Sequence, residues 1–151
     1  DIIYNYRQNP PNKSISTSGN KVYFERINDA YKIIFKNFEE TNNLEFYRYF
    51  YARILPYILC KIIDSTVLND ERDIIEVLKM LKWYFDQKIT YNVVVINERL
   101  NEIVNSIINK DYDEAVIKII DTREYRSTLS NVEKEKMYFP SEELYRKMSL
   151  N

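Results

Sequence analysis

The spacing of apolar residues constrains this chain most, because from residue 21 they recur at intervals of three and four. Such spacing puts them on one face of an α-helix, whereas a half-buried strand alternates with a period of two. In the first predicted helix this apolar face consists of Tyr23, Ile27, Ala30, Tyr31, Ile34 and Phe38. No convincing alternation follows residue 20, so we predict an all-α bundle of five to six helices.

Polar caps and breakers divide the periodic region into helices. Candidate N-caps are Ser18 or Asn20, the triplet 41–43, and Asn69 or Asp70. Val93 to Ile96 could form a buried strand, but the helical spacing that continues to Ile108 favours one helix. The predicted helices are 21–40, 44–65, 71–88, 92–109 and 111–122, with a short last helix over 141–148. In the fifth helix the predicted inward residues are Ala115, Val116, Ile119 and Ile120.

The first twenty residues have a different character. They contain Pro10, Pro11 and the single glycine, Gly19. Proline fits neither a helix interior nor a central strand, so we predict an irregular head in which Asp1–Tyr6 is strand-like. The predicted organisation is therefore a head over 1–20 and a helical domain over 21–151.

Composition excludes several classes of function. The chain of 151 residues has no histidine, which removes Ser-His-Asp triads, Cys-His pairs and the usual zinc sites. A single glycine rules out the Gly-rich loops that cradle phosphates. The net charge is −1 and basic residues do not cluster, so we expect no nucleic-acid partner.

Cys60 and the apolar stretch around it bear on localisation. One cysteine cannot form an internal disulfide, fits a reducing compartment and is expected to be a small core residue. Pro56 and Lys61 interrupt the most apolar stretch, Ile54 to Ile63, so we expect no transmembrane segment. We expect a cytoplasmic protein, with a peripheral position at the inner membrane face as an option.

Two aromatic-rich segments, Tyr47–Arg53 and Trp83–Phe85, could form a partner surface or a platform for a sugar ring. A helix that is apolar all round is usually central in its bundle. We therefore expect these aromatic residues in the core, with a groove or an interface as the alternative. Asp111-Tyr112-Asp113 has a metal-binding spacing but fits the acidic first turn of a helix, and we expect no metal there.

The head has residue types that suit a nucleotide-sugar diphosphate. Arg7 offers a planar fork of donors for phosphate oxygens, and Ser14 and Ser16 add hydroxyl groups. Tyr6 can pack against a ring. On residue types alone, a linker with ordinary charge is the alternative.

The run Tyr4-Asn5-Tyr6-Arg7-Gln8, followed by Ser14-Ile15, resembles the Tyr-x-Tyr-Arg-Gln…Ser-Ile segment that closes the catalytic domain of bacterial family 2 glycosyltransferases of the GT-A fold. Here the serine follows the arginine by seven residues, whereas family members usually place it about five residues on. By this resemblance Arg7, Tyr6, Ser14 and Ser16 would bind substrate near the donor diphosphate. The resemblance covers the first sixteen residues, and the helical body is similar only in a general way to the family's variable C-terminal region.

The resemblance implies that this chain is the non-catalytic C-terminal part of a glycosyltransferase. The catalytic domain would precede residue 1 and be its main partner. That domain would use a nucleotide-sugar donor with Mg²⁺ or Mn²⁺, while this part holds no cofactor. The helical domain would position the acceptor, form a homo-oligomer or contact a partner. The alternative from the residues is an autonomous helical interaction module with no enzymatic parent, of the kind that AT-rich viral genomes encode.

Overall fold

A computed structural model describes residues 20–138, which form an all-α bundle. Within this range there are seven helices and no strand. Their bounds are α1 Lys21–Glu40, α2 Leu44–Ile63, α3 Glu71–Met80, α4 Lys82–Thr90, α5 Glu98–Ile108, α6 Tyr112–Ser127 and α7 Asn131–Tyr138. The predicted head and the predicted helix over 141–148 lie outside the described residues.

Polar caps set the starts of most helices. The side chain of Asn20 accepts the backbone N–H of Tyr23, and Asn43 accepts that of Phe46. Asp70 caps α3 in the same way. These side chains satisfy amide groups that have no partner within the helix, so three predicted helix starts are confirmed.

Helix α2 is the central element of the bundle. It contacts α6 and α7, and half of its length is buried. Its buried residues are Tyr47, Tyr51, Ala52, Leu55, Pro56, Ile58, Leu59, Cys60, Ile62 and Ile63. α1 packs on α3, α4 packs on α5, and α5 forms an antiparallel-type hairpin pair with α6. No helix among residues 20–138 is both long enough and apolar enough to cross a bilayer.

The predicted helix over 92–109 begins too early. Residues 93–96 are neither helix nor strand, and α5 starts only after the cap Asn97. Val93 and Val95 are buried while Val94 and Ile96 are exposed, so this segment buries alternate side chains. β-branched residues lose side-chain freedom in a helix, and four in a row suit an extended connection better.

Other predicted details also differ. The helix over 71–88 is divided at Leu81, whose φ of −94° and ψ of 5° lie outside helical values. Ala30 and Ile120, which were predicted to face inward, are exposed. In α1 the buried positions are Phe24, Asn28 and Phe35, one residue away from the predicted apolar face.

Candidate functional site: an aromatic groove

A groove runs along the second half of α1, between that helix and α4. It consists of two neighbouring cavities of about 310 Å³ and 320 Å³ that share Glu39, Gln87 and Tyr91. The first is completed by Lys32, Phe35, Lys36 and Trp83. The second is completed by Phe38, Thr41, Asn42, Leu44, Tyr47 and Thr90. We call the two together the aromatic groove.

Aromatic rings form the inner wall of the groove. Phe35 lies edge-to-face against Trp83, with 5.8 Å between ring centroids, and packs 6.1 Å from Tyr91. Phe38 stacks on Tyr47 at 3.6 Å. Contacts of this kind fix ring orientation and contribute beyond the area they bury. The wall is therefore formed before any ligand arrives.

Hydrogen bonds hold two of the wall residues in place. The indole N–H of Trp83 donates to Oδ1 of the buried Asn28 at 2.6 Å. Gln87 donates its side-chain amide to the carbonyl of Trp83 at 3.0 Å. This arrangement leaves the amide oxygen of Gln87, a residue that lines both cavities, to accept a hydroxyl group from a ligand.

Tyr91 lies where the two cavities meet, and its backbone is fixed from two sides. Its carbonyl accepts from Nε of Arg48 at 2.8 Å. Its amide donates to Gln87, and the next residue, Asn92, has a φ of 52°. Val93 donates to the carbonyl of Lys88 and Asn92 to that of Ile89, which is the Schellman arrangement at a helix end.

The Tyr91 hydroxyl stays neutral over a wide pH range. Burial, and then the nearby carboxylate of Glu39, raise the pKa of this phenol above its usual value. A neutral phenol keeps its proton and can donate a hydrogen bond. The groove therefore combines ring faces with a phenol, an amide and a carboxylate, which are the groups that bind sugar hydroxyls.

A second polar cluster lies at the far end of α2, but it is occupied by the protein itself. Arg126 is 2% exposed and forms two hydrogen bonds with Asp64, at 2.7 and 2.6 Å. Arg123 donates to the carbonyls of Ile63 and Leu68. We call these two arginines and Asp64 the arginine clamp, since it ties α6 to the end of α2.

Two buried polar groups near the groove lack a hydrogen-bond partner among the described residues. The hydroxyl of Tyr84, a fully buried residue, and Nη2 of Arg48 are buried without a hydrogen-bond partner there. The Tyr84 ring packs 6.0 Å from that of Phe35, behind the groove wall. Leaving such a group unpaired is costly, commonly about 1–3 kcal/mol.

The acidic sequence signals have structural roles. Asp111 is the N-cap of α6, where its carboxylate accepts the amide of Glu114, and Asp113 lies in the first turn. Neighbouring Glu39 and Glu40 are both exposed, and only Glu39 lines the groove. Among residues 20–138 no three His, Cys, Asp or Glu side chains are grouped to hold a metal ion.

The predicted donor-site residues Arg7, Tyr6, Ser14 and Ser16 lie outside the described residues. The two aromatic-rich segments are divided between core and groove. Tyr47, Tyr51, Tyr84 and Phe85 are buried as predicted, although Tyr47 also lines a cavity. Trp83 is half-buried and lines the groove. Sequence reasoning assigned no role to Gln87, Tyr91 or Lys36, and the one available signal was the aromatic density on either side of them.

Comparisons of this chain with protein-family models, with curated proteins and with solved structures find no match. Two features of the chain bear on its function, the groove and the N-terminal motif that ends a few residues before α1 begins at Lys21.

Proposed function

We propose that this chain is the helical C-terminal domain of a family 2 glycosyltransferase and that the aromatic groove positions the acceptor glycan. The single observation that carries the groove assignment is its composition. Trp83 and Phe38 are half-buried and offer aromatic surface, while Gln87, Glu39 and Tyr91 offer hydrogen-bonding groups at the same place. Sites for small ligands combine apolar walls with a few placed polar groups in this way.

The glycosyltransferase assignment is supported by the N-terminal motif. Arg7 with Ser14 or Ser16, and Tyr6 beside them, would contact the donor diphosphate at the edge of the preceding domain. The divalent metal and the nucleotide-sugar donor would be held by that domain, which would perform the transfer. This chain would contribute binding and orientation and no reacting group.

The groove does not begin at the start of α1. Lys32 follows the first residue of α1 by eleven positions, which is about 17 Å along a helix, and the groove extends further from there. We expect the groove to bind sugars of the acceptor that do not react. Binding energy from remote parts of a substrate orients the reacting group and so raises the rate.

The test is a kinetic comparison in the protein that includes the residues preceding residue 1. We expect Gln87→Ala to raise the acceptor KM about fivefold, as for the loss of one hydrogen bond, with the donor KM unchanged. Arg7→Ala should instead raise the donor KM, and Arg7→Lys should restore it only in part because lysine lacks the planar fork. Tyr125→Ala, an exposed aromatic on α6, is the matched control.

Two results would overturn the proposal. One is an upstream coding sequence without a glycosyltransferase catalytic domain. The other is an acceptor KM that is unchanged in both the Gln87→Ala and the Trp83→Phe enzymes. In the second case the groove would not be the acceptor site, even if the parent transfers sugars.

A second candidate is an autonomous helical interaction module. The observation in its favour is the outer side of α6, where Ile117 and Ile120 are 61% and 49% exposed and lie three residues apart. Side chains at that spacing share a helix face. Under this alternative, Ile117→Ser would abolish partner binding and Gln87→Ala would not.

A further inference from the structure

We propose that the aromatic groove selects an acidic glycan, in which a carboxylate or phosphate group on one sugar pairs with Lys32 and Lys36. This inference rests on the proposed function, since it takes the groove to be a glycan site. It adds the charge of the ligand and the direction in which the ligand lies. Three charged side chains line the groove, Lys32, Lys36 and Glu39.

Lys32 and Lys36 line the same cavity and are one helical turn apart on α1. Side chains at this spacing are neighbours on the helix surface. Both are exposed, and within residues 20–138 neither has a carboxylate at ion-pair distance. By contrast, Lys21 on the same helix pairs with Asp73 and Glu76 of α3.

The charge of the groove changes sign along its length. The cavity at the Trp83 end is lined by two lysines and Glu39. The cavity at the Leu44 end has Glu39 as its charged lining residue, with Asn42, Thr41 and Thr90 supplying neutral polar groups. An anionic group is attracted to the first cavity and repelled from the second, so the acidic sugar should lie against Trp83 and a neutral sugar near Tyr47.

An aromatic floor beside two ammonium groups suits a charged sugar better than a free anion. Phe35 and Trp83 offer apolar surface to the ring, while Lys32 and Lys36 can meet its substituent. Exposed ion pairs are weak when they act alone. The selectivity therefore requires the stacked ring to hold the charge in place, and inorganic phosphate by itself should bind far less well.

The experiment measures binding to the full 151-residue chain through the fluorescence of Trp83, its single tryptophan. The probes are a hyaluronan tetrasaccharide, which carries uronic acids, and neutral chitotetraose. Glucose 6-phosphate and glucose form a second pair that tests phosphate as the source of charge. We expect the acidic member of at least one pair to bind about fivefold to tenfold more tightly, in line with two exposed ion pairs.

The variant Lys32→Gln/Lys36→Gln should remove that preference, so that the acidic and neutral members of each pair bind it equally. The matched control Lys110→Gln/Lys136→Gln removes the same charge from exposed positions that do not line the groove. Raising the salt to about 1 M, where the Debye length is about 3 Å, should also abolish the preference for the acidic probe.

Equal binding of the acidic and neutral members of both pairs would overturn the charge inference and leave the glycan groove intact. An equal loss in the control double variant would overturn it as well, because overall charge would then explain the preference. If no probe binds and Trp83 fluorescence does not respond, both this inference and the acceptor role of the groove fail.

Discussion

The two ends of α2 differ in how their polar and aromatic groups are used. Near its start, Tyr47 faces the aromatic groove, and polar groups behind the groove wall lack partners among the described residues. At its other end, the last carbonyls accept hydrogen bonds from Arg123, and Asp64, just beyond the helix, accepts from Arg126. The twenty residues of this helix separate the ends by about 30 Å.

The difference shows that residue type does not decide which end can serve a ligand. Arginine is the side chain best suited to phosphate. Arg126, however, already donates hydrogen bonds to Asp64, Lys134 and Met137 within the protein. Trp83, an aromatic residue expected in the core, is instead half-buried and lines the groove. A side chain can bind a ligand only when its polar groups are not already bonded within the protein.

The largest expected effect lies in the arginine clamp. Arg126→Met should lower the free energy of unfolding by about 2–3 kcal/mol, since hydrogen bonds to a charged partner are lost from a buried site. The measurement is urea denaturation followed by circular dichroism. Arg99→Met is the control, because the Arg99–Asp121 pair is exposed and should contribute less than about 1 kcal/mol. Equal losses in the two variants would mean that the clamp is no stronger than a surface pair.

A matched pair of tyrosines tests the groove end. The hydroxyl of Tyr51 donates to the carbonyls of Tyr84 and Phe85, at 2.6 and 3.3 Å, whereas the hydroxyl of Tyr84 has no partner among the described residues. Tyr51→Phe should therefore cost about 1–2 kcal/mol, while Tyr84→Phe should be neutral or stabilising. The same urea titration measures both, and a costly Tyr84→Phe would show that its hydroxyl is satisfied after all.

Two turns with positive φ give a smaller effect. Lys110 has a φ of 61° and Asn92, beside the groove, a φ of 52°. Glycine enters this region without steric cost, whereas for other residues it costs about 1 kcal/mol or more. Lys110→Gly should raise the thermal midpoint, and Asn92→Gly should raise it less because asparagine tolerates this conformation. A larger gain at Asn92 would show that the turn beside the groove is strained.

The smallest expected effect is at α7, on the clamp side. Ser130 and Glu133 exchange hydrogen bonds as a capping box, and those bonds lower the pKa of the exposed Glu133 carboxyl. The folded-state pKa is below the unfolded one, so this stabilisation is present above the unfolded pKa and is lost as pH falls through the folded pKa. Glu133→Gln should be less stable than the parent chain at pH 7, and the difference should shrink as the pH is lowered through the acid range. A difference that does not change with pH would contradict a role for the charge.

Local signals in the sequence predicted most of the helices, whereas tertiary contacts set the breaks and ends that the sequence does not mark. Asn20 and Asn43 start helices because a short polar side chain can satisfy free amide groups, and this can be recognised from neighbours alone. The break at Leu81 carries no proline or glycine to announce it. The end of α4 depends on Asn92 adopting a left-handed conformation, which its sequence permits but does not require.

The site was less predictable than the fold for a related reason. Trp83 and Tyr84 are adjacent, yet one lines a cavity and the other is fully buried. Rings from both α1 and α2 pack on Tyr84, namely Tyr31, Phe35 and Tyr51. The arginine clamp joins residues about sixty positions apart, and no local pattern pairs Arg126 with Asp64. Whether Arg7, Tyr6, Ser14 and Ser16 bind a donor stays a prediction.

The reactivity of Cys60 can report on how often the packing around the end of α2 opens. Its side chain is 2% exposed, and burial raises the pKa of the thiol to about 12. Its neighbours include Arg126 and Tyr138, which belong to α6 and α7. A thiol that is both protonated and covered does not react with alkylating reagents. Each labelled molecule is therefore one in which an opening has uncovered Cys60, and the rate of labelling measures how often that opening occurs.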